Sequence, residues 1–269
     1  MILKIIAAIT FISLISASVA AALLAILSPL FPWKIILIWF LTLMVSEAIL
    51  AFGVFERRSP IFGPVFWKGE KGRNIVALTF DDGPNEPFTS QILDILKERQ
   101  VRATFFVTGV NCRRFPGVLK RLQEDGHEIA NHTLTHEVLP LKPPFRIEEE
   151  IRKTSDIIEM HTGKRPTLFR APHGWRNPWT NAIARKCGCI PVAWTLGVWD
   201  TDRPGAEVIA RRTLRGVSDG CVILLHDGRG VEEGADSSQL VEALPLIIDE
   251  LHRRGFRPLT LSRMMEPTP

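Results

Sequence analysis

The stretch IVALTFDDGPNEPF, Ile75 to Phe88, sets two carboxylates side by side where an apolar run stops and a Gly-Pro turn begins. Ile75 to Phe80 reads as a buried β-strand and Gly83-Pro84 as turn punctuation, so Asp81 and Asp82 fall at the strand's C-terminal end. In α/β folds that end carries the chemistry. The plainer alternative is an Asp pair that opens a turn and caps a helix beginning near Pro87.

Outward from this strand the pattern repeats. Short apolar runs at Ala103 to Thr108, Glu128 to Asn131, Leu168 to Arg170, Ile190 to Thr195, Cys221 to His226 and Phe256 to Leu259 are the other candidate strands. Amphipathic stretches near residues 87–99, 114–125, 147–162, 177–187, 205–215 and 238–254 separate them. Alternation of this kind predicts an α/β fold with a mostly parallel sheet, and about seven strands suit a distorted (β/α) barrel better than a doubly wound sheet.

The charge is uneven. Residues 1–55 carry only Lys4, Lys34 and Glu47, so 31 basic and 28 acidic residues lie beyond them. That remainder has no basic block, which argues against nucleic acid as a partner. Cys112, Cys187, Cys189 and Cys221 show neither disulfide nor zinc spacing and read as small apolar residues.

Residues 5–27 are 23 uncharged positions, enough at about 1.5 Å each to cross a hydrocarbon core of about 30 Å. A second apolar run, Ile35 to Phe55, is interrupted only by Glu47, and SPLFPWK joins the two. The first 55 residues therefore read as a membrane anchor of one or two transmembrane helices, residues 56–73 as a linker, and residues 74–265 as the folded domain. ASVA, Ala17 to Ala20, resembles a signal-peptidase site, but the apolar run continues through Leu27. Counting Lys4, Lys34 and the basic residues after Phe55 puts both ends of a two-helix hairpin in the cytoplasm. Glu47 disfavours the second span, and a single span would leave the domain outside.

Polar residues collect at the strand ends. NHTLTH places His132 and His136 four apart, on one face if the segment is a helical turn, where both imidazoles can share a metal ion. A strand-end Asp from TFDDGP would complete a His2Asp set. RAPHGW brings Arg170 to the end of the fourth strand, and ILLHDG ends another with His226 and Asp227.

In this order TFDDGP, NHTLTH, RAPHG and LLHD resemble the first, second, third and fifth motifs of the polysaccharide deacetylase family, the NodB homology domain or carbohydrate esterase family 4. The likeness runs from about Asn74 to Leu261. It implies a hydrolase that removes N-acetyl groups from amino sugars of a peptidoglycan or chitin-like glycan and releases acetate. By resemblance Asp82, His132 and His136 hold one divalent metal, zinc or else cobalt; Asp81 is the general base, Arg170 holds it in place, and His226 is the general acid.

Two positions depart from the pattern. His173 stands where the third motif usually has an aromatic residue, often Tyr, and the chain has no Tyr. The fourth motif's Asp-Trp is reversed here as Trp199-Asp200, which assigns Asp200 to tuning His226 or Arg170. His173 and Trp199 are the substrate-binding candidates, with Trp175, Trp179 and Trp194 as further aromatic surface. The expected partners are an N-acetylated glycan and a membrane, with no protein partner implied. The catalytic domain is expected outside the cytoplasm, with the cytoplasmic face as the alternative. Two other readings are a deacylase of a lipid-linked amino sugar and a glycan-binding homologue without catalysis.

Overall fold

The computed structural model describes residues 33–267 together with residues 16, 17, 19 and 20. Lys4, most of the first apolar run and most of the segment joining it to the second lie outside the described residues. The chain forms two units, Met1–Val54 and Phe55–Pro269.

Helix α1, Trp33–Phe55, is apolar apart from Lys34, Thr42, Ser46 and Glu47, with Trp33, Ile38 and Trp39 among its exposed side chains. Among the described residues it is the one helix long and apolar enough to cross a membrane, with a mean hydropathy of 2.4 over Ile35–Phe55. Its Thr42 and Ser46 hydroxyls donate to the carbonyls of Ile38 and Thr42, so these polar groups need no water.

The second unit is built on parallel strands. Strand β1 (Ile75–Asp81) is buried along its whole length, as its near-continuous apolar sequence requires. It lies between β2 (Thr104–Val107) and β7 (Cys221–His226). From β2 the sheet continues to β3 (Glu128–Asn131), β4 (Leu168–Phe169) and β5 (Ile190–Pro191). On the other side β7 pairs β6 (Leu196–Gly197), and β8 (Arg257–Pro258) pairs the start of β1.

Of the expected strand Ile190 to Thr195 only β5 forms, and a second short strand, β6, follows just beyond it at the opposite end of the sheet path. The chain leaves the β4 edge, crosses, and joins the β7 edge within a few residues. In the crossing, Val192 bridges Phe66 and the Ala193 N–H donates to the Phe66 carbonyl, while Lys68 bridges Cys221 at the start of β7. Residues 66–68 therefore tie the two edges together, and the sheet curls into the distorted (β/α) barrel expected from the alternation.

Helices α2 (Phe88–Glu98), α5 (Pro144–Thr162), α6 (Thr180–Lys186), α7 (Ala206–Gly216) and α8 (Ser238–Arg253) follow the expected stretches, and α9 (Leu261–Met265) closes the unit. The expected helix near 114–125 is α4 (Pro116–Glu124), which Pro116 opens, and a short helix that the pattern did not suggest, α3 (Gly109–Arg114), precedes it. One main core joins β1, β2 and β7 to α2 and α8, with Phe80 and Phe105 stacked at 4.8 Å. All four cysteines are buried free thiols.

Candidate active site

Asp81 and His226 are register partners on β1 and β7, so both strands deliver a polar residue to the same end of the sheet. Asp82, the next residue, turns to φ +79°. That reversal sends neighbouring carboxylates to different partners. Asp81 Oδ1 accepts from Arg170 Nη1 at 2.6 Å, while Asp82 Oδ1 faces the imidazoles of His132 and His136 at 3.3 and 3.1 Å. The turn is packed from behind. Asn111 Nδ2 donates to the Asp82 carbonyl at 2.8 Å, and a Cβ on Gly83 would lie 2.0 Å from Asp227 Oδ2, so only glycine fits there.

Arg170 is fully buried, its guanidinium 4.0 Å above the Phe106 ring and its Nη1 also donating to Thr79 Oγ1. Burial lowers its pKa, and the Asp81 carboxylate works against that loss. The pair fixes Asp81 Oδ1 and leaves Oδ2 on the side of His132, 3.7 Å from its Nε2.

His132 and His136 are brought together, though not by a helical turn. They sit in a loop in which Thr133 and His136 have φ of +69° and +57°. A spacing of four meets equally well across a tight loop, and this one is held by side chains. Asn131 Oδ1 accepts the Thr133 N–H, Thr133 Oγ1 accepts the His136 N–H, and Glu150 accepts those of Leu134 and Thr135.

The Nδ1 of His132 lies 2.9 Å from the Arg170 carbonyl, which can only accept, so Nδ1 carries the proton and Nε2 offers a lone pair. That lone pair faces the buried Asp82 Oδ1, which has no hydrogen-bond partner. With His136 Nε2 3.1 Å from the same oxygen, two imidazole nitrogens and a carboxylate converge on one point, an arrangement that a cation satisfies. The ligand atoms of Asp82, His132 and His136 all lie within 4.8 Å of one another. Two imidazoles and a carboxylate suit zinc-type ions and leave a position open for water. The residues fit the metal.

Across from this set, Asp200 Oδ1 lies 3.0 Å from His226 Nδ1, and Asp200 Oδ2 accepts the His226 N–H at 2.7 Å. Of the two partners expected for Asp200, the structure gives it His226. Burial alone would lower the imidazole's pKa. The Asp200 carboxylate, helped by Asp82 and Asp81, outweighs this and lifts it to about 10.

Residues 68–192 match the family described as polysaccharide deacetylase. A peptidoglycan-N-acetylglucosamine deacetylase of Bacillus cereus is 35% identical over 208 residues, covering 76% of this chain and 93% of that protein. The chain belongs to the polysaccharide deacetylase family. A chitooligosaccharide deacetylase of a Bradyrhizobium strain is 36% identical, covering 69% of this chain and 88% of that one. A crystal structure of a peptidoglycan N-acetylglucosamine deacetylase superposes with a TM-score of 0.72 at 33% identity, covering 76% of this chain and 94% of that one. Membership makes the chain a hydrolase, and its barrel is that of carbohydrate esterase family 4.

In this polysaccharide deacetylase the remaining sequence candidates differ in how they lie. His173, at φ +60°, packs between His136 and Trp175 with ring centroids at 4.8 and 5.2 Å. Trp199 turns out to 67% exposure at φ +57°, which points the following Asp200 inward. Trp179 is exposed, whereas Trp194 is half-buried under Arg57 and close to Arg170. A cavity of about 230 Å³ opens beside His226 and Asp200, lined also by Arg203, Arg229 and Gln239.

Sequence reasoning missed Asn111 and Glu150. Glu150 sits in an acidic run that looks solvated, yet Ile147 and Thr154, three and four residues away, mark its side of α5 as the buried one. That periodicity was the available signal.

Proposed function

We propose that this chain is a divalent-metal-dependent N-deacetylase that releases acetate from N-acetylated amino sugars of a peptidoglycan or chitin-like glycan. The observation that carries the reading is Asp82 Oδ1, buried and unbonded, facing two imidazole nitrogens beside an Arg170-pinned Asp81. Asp82, His132 and His136 would hold the ion. When bound, it supplies the Lewis acid that polarises the acetyl carbonyl and makes a water acidic near neutral pH.

The protein's own groups do the rest. Arg170 occupies Asp81 Oδ1, so Asp81 takes the proton of the attacking water at Oδ2. A sugar amine leaves poorly as an anion. His226 has Nδ1 engaged by Asp200 and therefore donates from Nε2 to the leaving nitrogen. Asp200 keeps that imidazole charged and oriented. Exposed Trp199 and the His173–Trp175 pair offer flat surfaces for sugar rings.

A lipid-linked amino sugar is the second substrate reading, favoured by helix α1. A non-catalytic glycan binder has no need for a cation site, a pinned base and a charged histidine together. The test incubates the detergent-purified full chain with a panel of N-acetylated glycans and lipid-linked amino sugars and measures acetate. Release from none of them would overturn the reading.

A further inference from the structure

The loop that carries His136 is held in place by charged side chains of helix α5 and of Lys142 just before it. Glu150, on α5, has no solvent exposure. Its Oε2 accepts the N–H groups of Leu134 and Thr135 at 3.0 and 2.8 Å, and its carboxylate receives the Thr135 hydroxyl at 3.0 Å. Arg146, one turn earlier, reaches Glu150 Oε1 with Nη2 at 3.0 Å. The same guanidinium lies 3.2 Å from the carboxylate of Glu137, the residue that follows His136. Lys142 adds a second cation to Glu137 at 3.2 Å.

The clamp thus grips the loop on both sides of His136, at Leu134 and Thr135 before it and at Glu137 after it. The other histidine is placed independently, by the end of β3 and the Arg170 carbonyl. Among the described residues no carbonyl engages the Nδ1 of His136 in the same way. Its backbone is in the left-handed region, as is that of the β-branched Thr133. Chain of that shape needs outside support to hold one geometry.

We propose that Glu150 and Arg146 are positioning residues that set the metal affinity of the site by fixing His136. Neither touches the ion; they act through the loop backbone, as outer-shell partners orient metal ligands elsewhere. The proposal rests on the metal reading above, and its test separates the two.

Full-length chain is purified in detergent, stripped with a chelator, and titrated with Co²⁺ followed by visible absorption, then with Zn²⁺ in competition. Wild type is expected to bind one ion. Glu150→Gln keeps the side chain's size but sets an amide against two N–H donors. It is expected to weaken metal binding by about 10- to 100-fold and to alter the Co²⁺ spectrum, with an unchanged far-UV circular dichroism spectrum. Arg146→Met and Glu137→Gln leave the buried carboxylate in place, and each is expected to weaken binding by several-fold. They decide the matter if Glu150→Gln does not fold. Wild-type affinity and spectrum in the folded variants would overturn the clamp while leaving the metal site intact. A wild-type chain that binds no ion would overturn the metal reading and the clamp with it.

Discussion

Asp200 holds His226 at two points, through its ring Nδ1 at 3.0 Å and its backbone N–H at 2.7 Å. The imidazole is therefore fixed in direction and kept charged, with its pKa raised from 6.5 to about 10. A raised histidine pKa favours the proton-bound form, so the acid is available below about pH 10 and is lost as pH rises through that value. Asp200→Asn removes the largest stabilising charge. The alkaline limb of the kcat/KM profile should then move down toward neutral pH, with metal content unchanged. An alkaline limb that stays in place would show that His226 does not donate the proton.

His226→Ala should lower turnover by about 10² to 10⁴ at constant metal content, the usual range for a general acid. The loss should be smaller on an O-acetyl ester, whose alkoxide leaves more readily than an amide anion. Paired rate measurements on the two substrates check this, and an equal loss on both would point to a structural role.

The neighbouring aspartates should separate cleanly. Asp81→Asn removes the base that Arg170 pins but leaves Asp82, His132 and His136 in place, so it should retain metal and lose most turnover. Asp82→Asn should lose the metal itself. Elemental analysis of both purified variants decides, and equal metal loss in the two would mean that their roles are misassigned.

Much of the site was legible because its chemistry is carried by side chains at strand ends, where apolar runs stop. TFDD and LLHD could be placed from pattern alone, and β1 and β7 set Asp81 beside His226 as adjacent parallel strands should. The loop holding His136 was not legible, since a four-residue spacing serves a helical turn and a left-handed loop alike. Asp200 was open between His226 and Arg170 as its partner, because the reversed Trp199-Asp200 order sets no direction, and only its two hydrogen bonds to His226 in the folded chain decide between them. The closing of the barrel by Phe66 and Lys68 runs through backbone hydrogen bonds, which leave no periodic trace in the sequence.

Asp227 predicts a pH effect on stability. It is fully buried behind the Gly83 turn and accepts from Thr89 Oγ1 at 2.6 Å. Burial, outweighing that hydrogen bond, raises its pKa from 3.8 to about 7. The folded state then binds the proton more tightly than the unfolded one. Its contribution is full below about pH 3.8 and is lost as pH rises through about 7, at about 1.4 kcal/mol per pH unit between those values. Urea unfolding of the metal-free protein between pH 5 and 8 should show wild type losing stability relative to Asp227→Asn. A constant difference across that window would contradict a neutral Asp227.

Membrane sidedness is open to a direct test. Acting on a cell-surface glycan requires the domain outside the cytoplasm, so an alkaline phosphatase fused after Pro269 should be active. A stable but inactive fusion would place the domain inside and favour a lipid-linked substrate on that face.

The central claim is that Asp82, His132 and His136 hold an ion without which the reaction stops. The measurement is acetate release from an N-acetylated glycan by the full chain before chelation, after it, and after zinc or cobalt is returned. Activity should disappear with the ion and come back with it. Undiminished release from protein shown by elemental analysis to be metal-free would contradict the account.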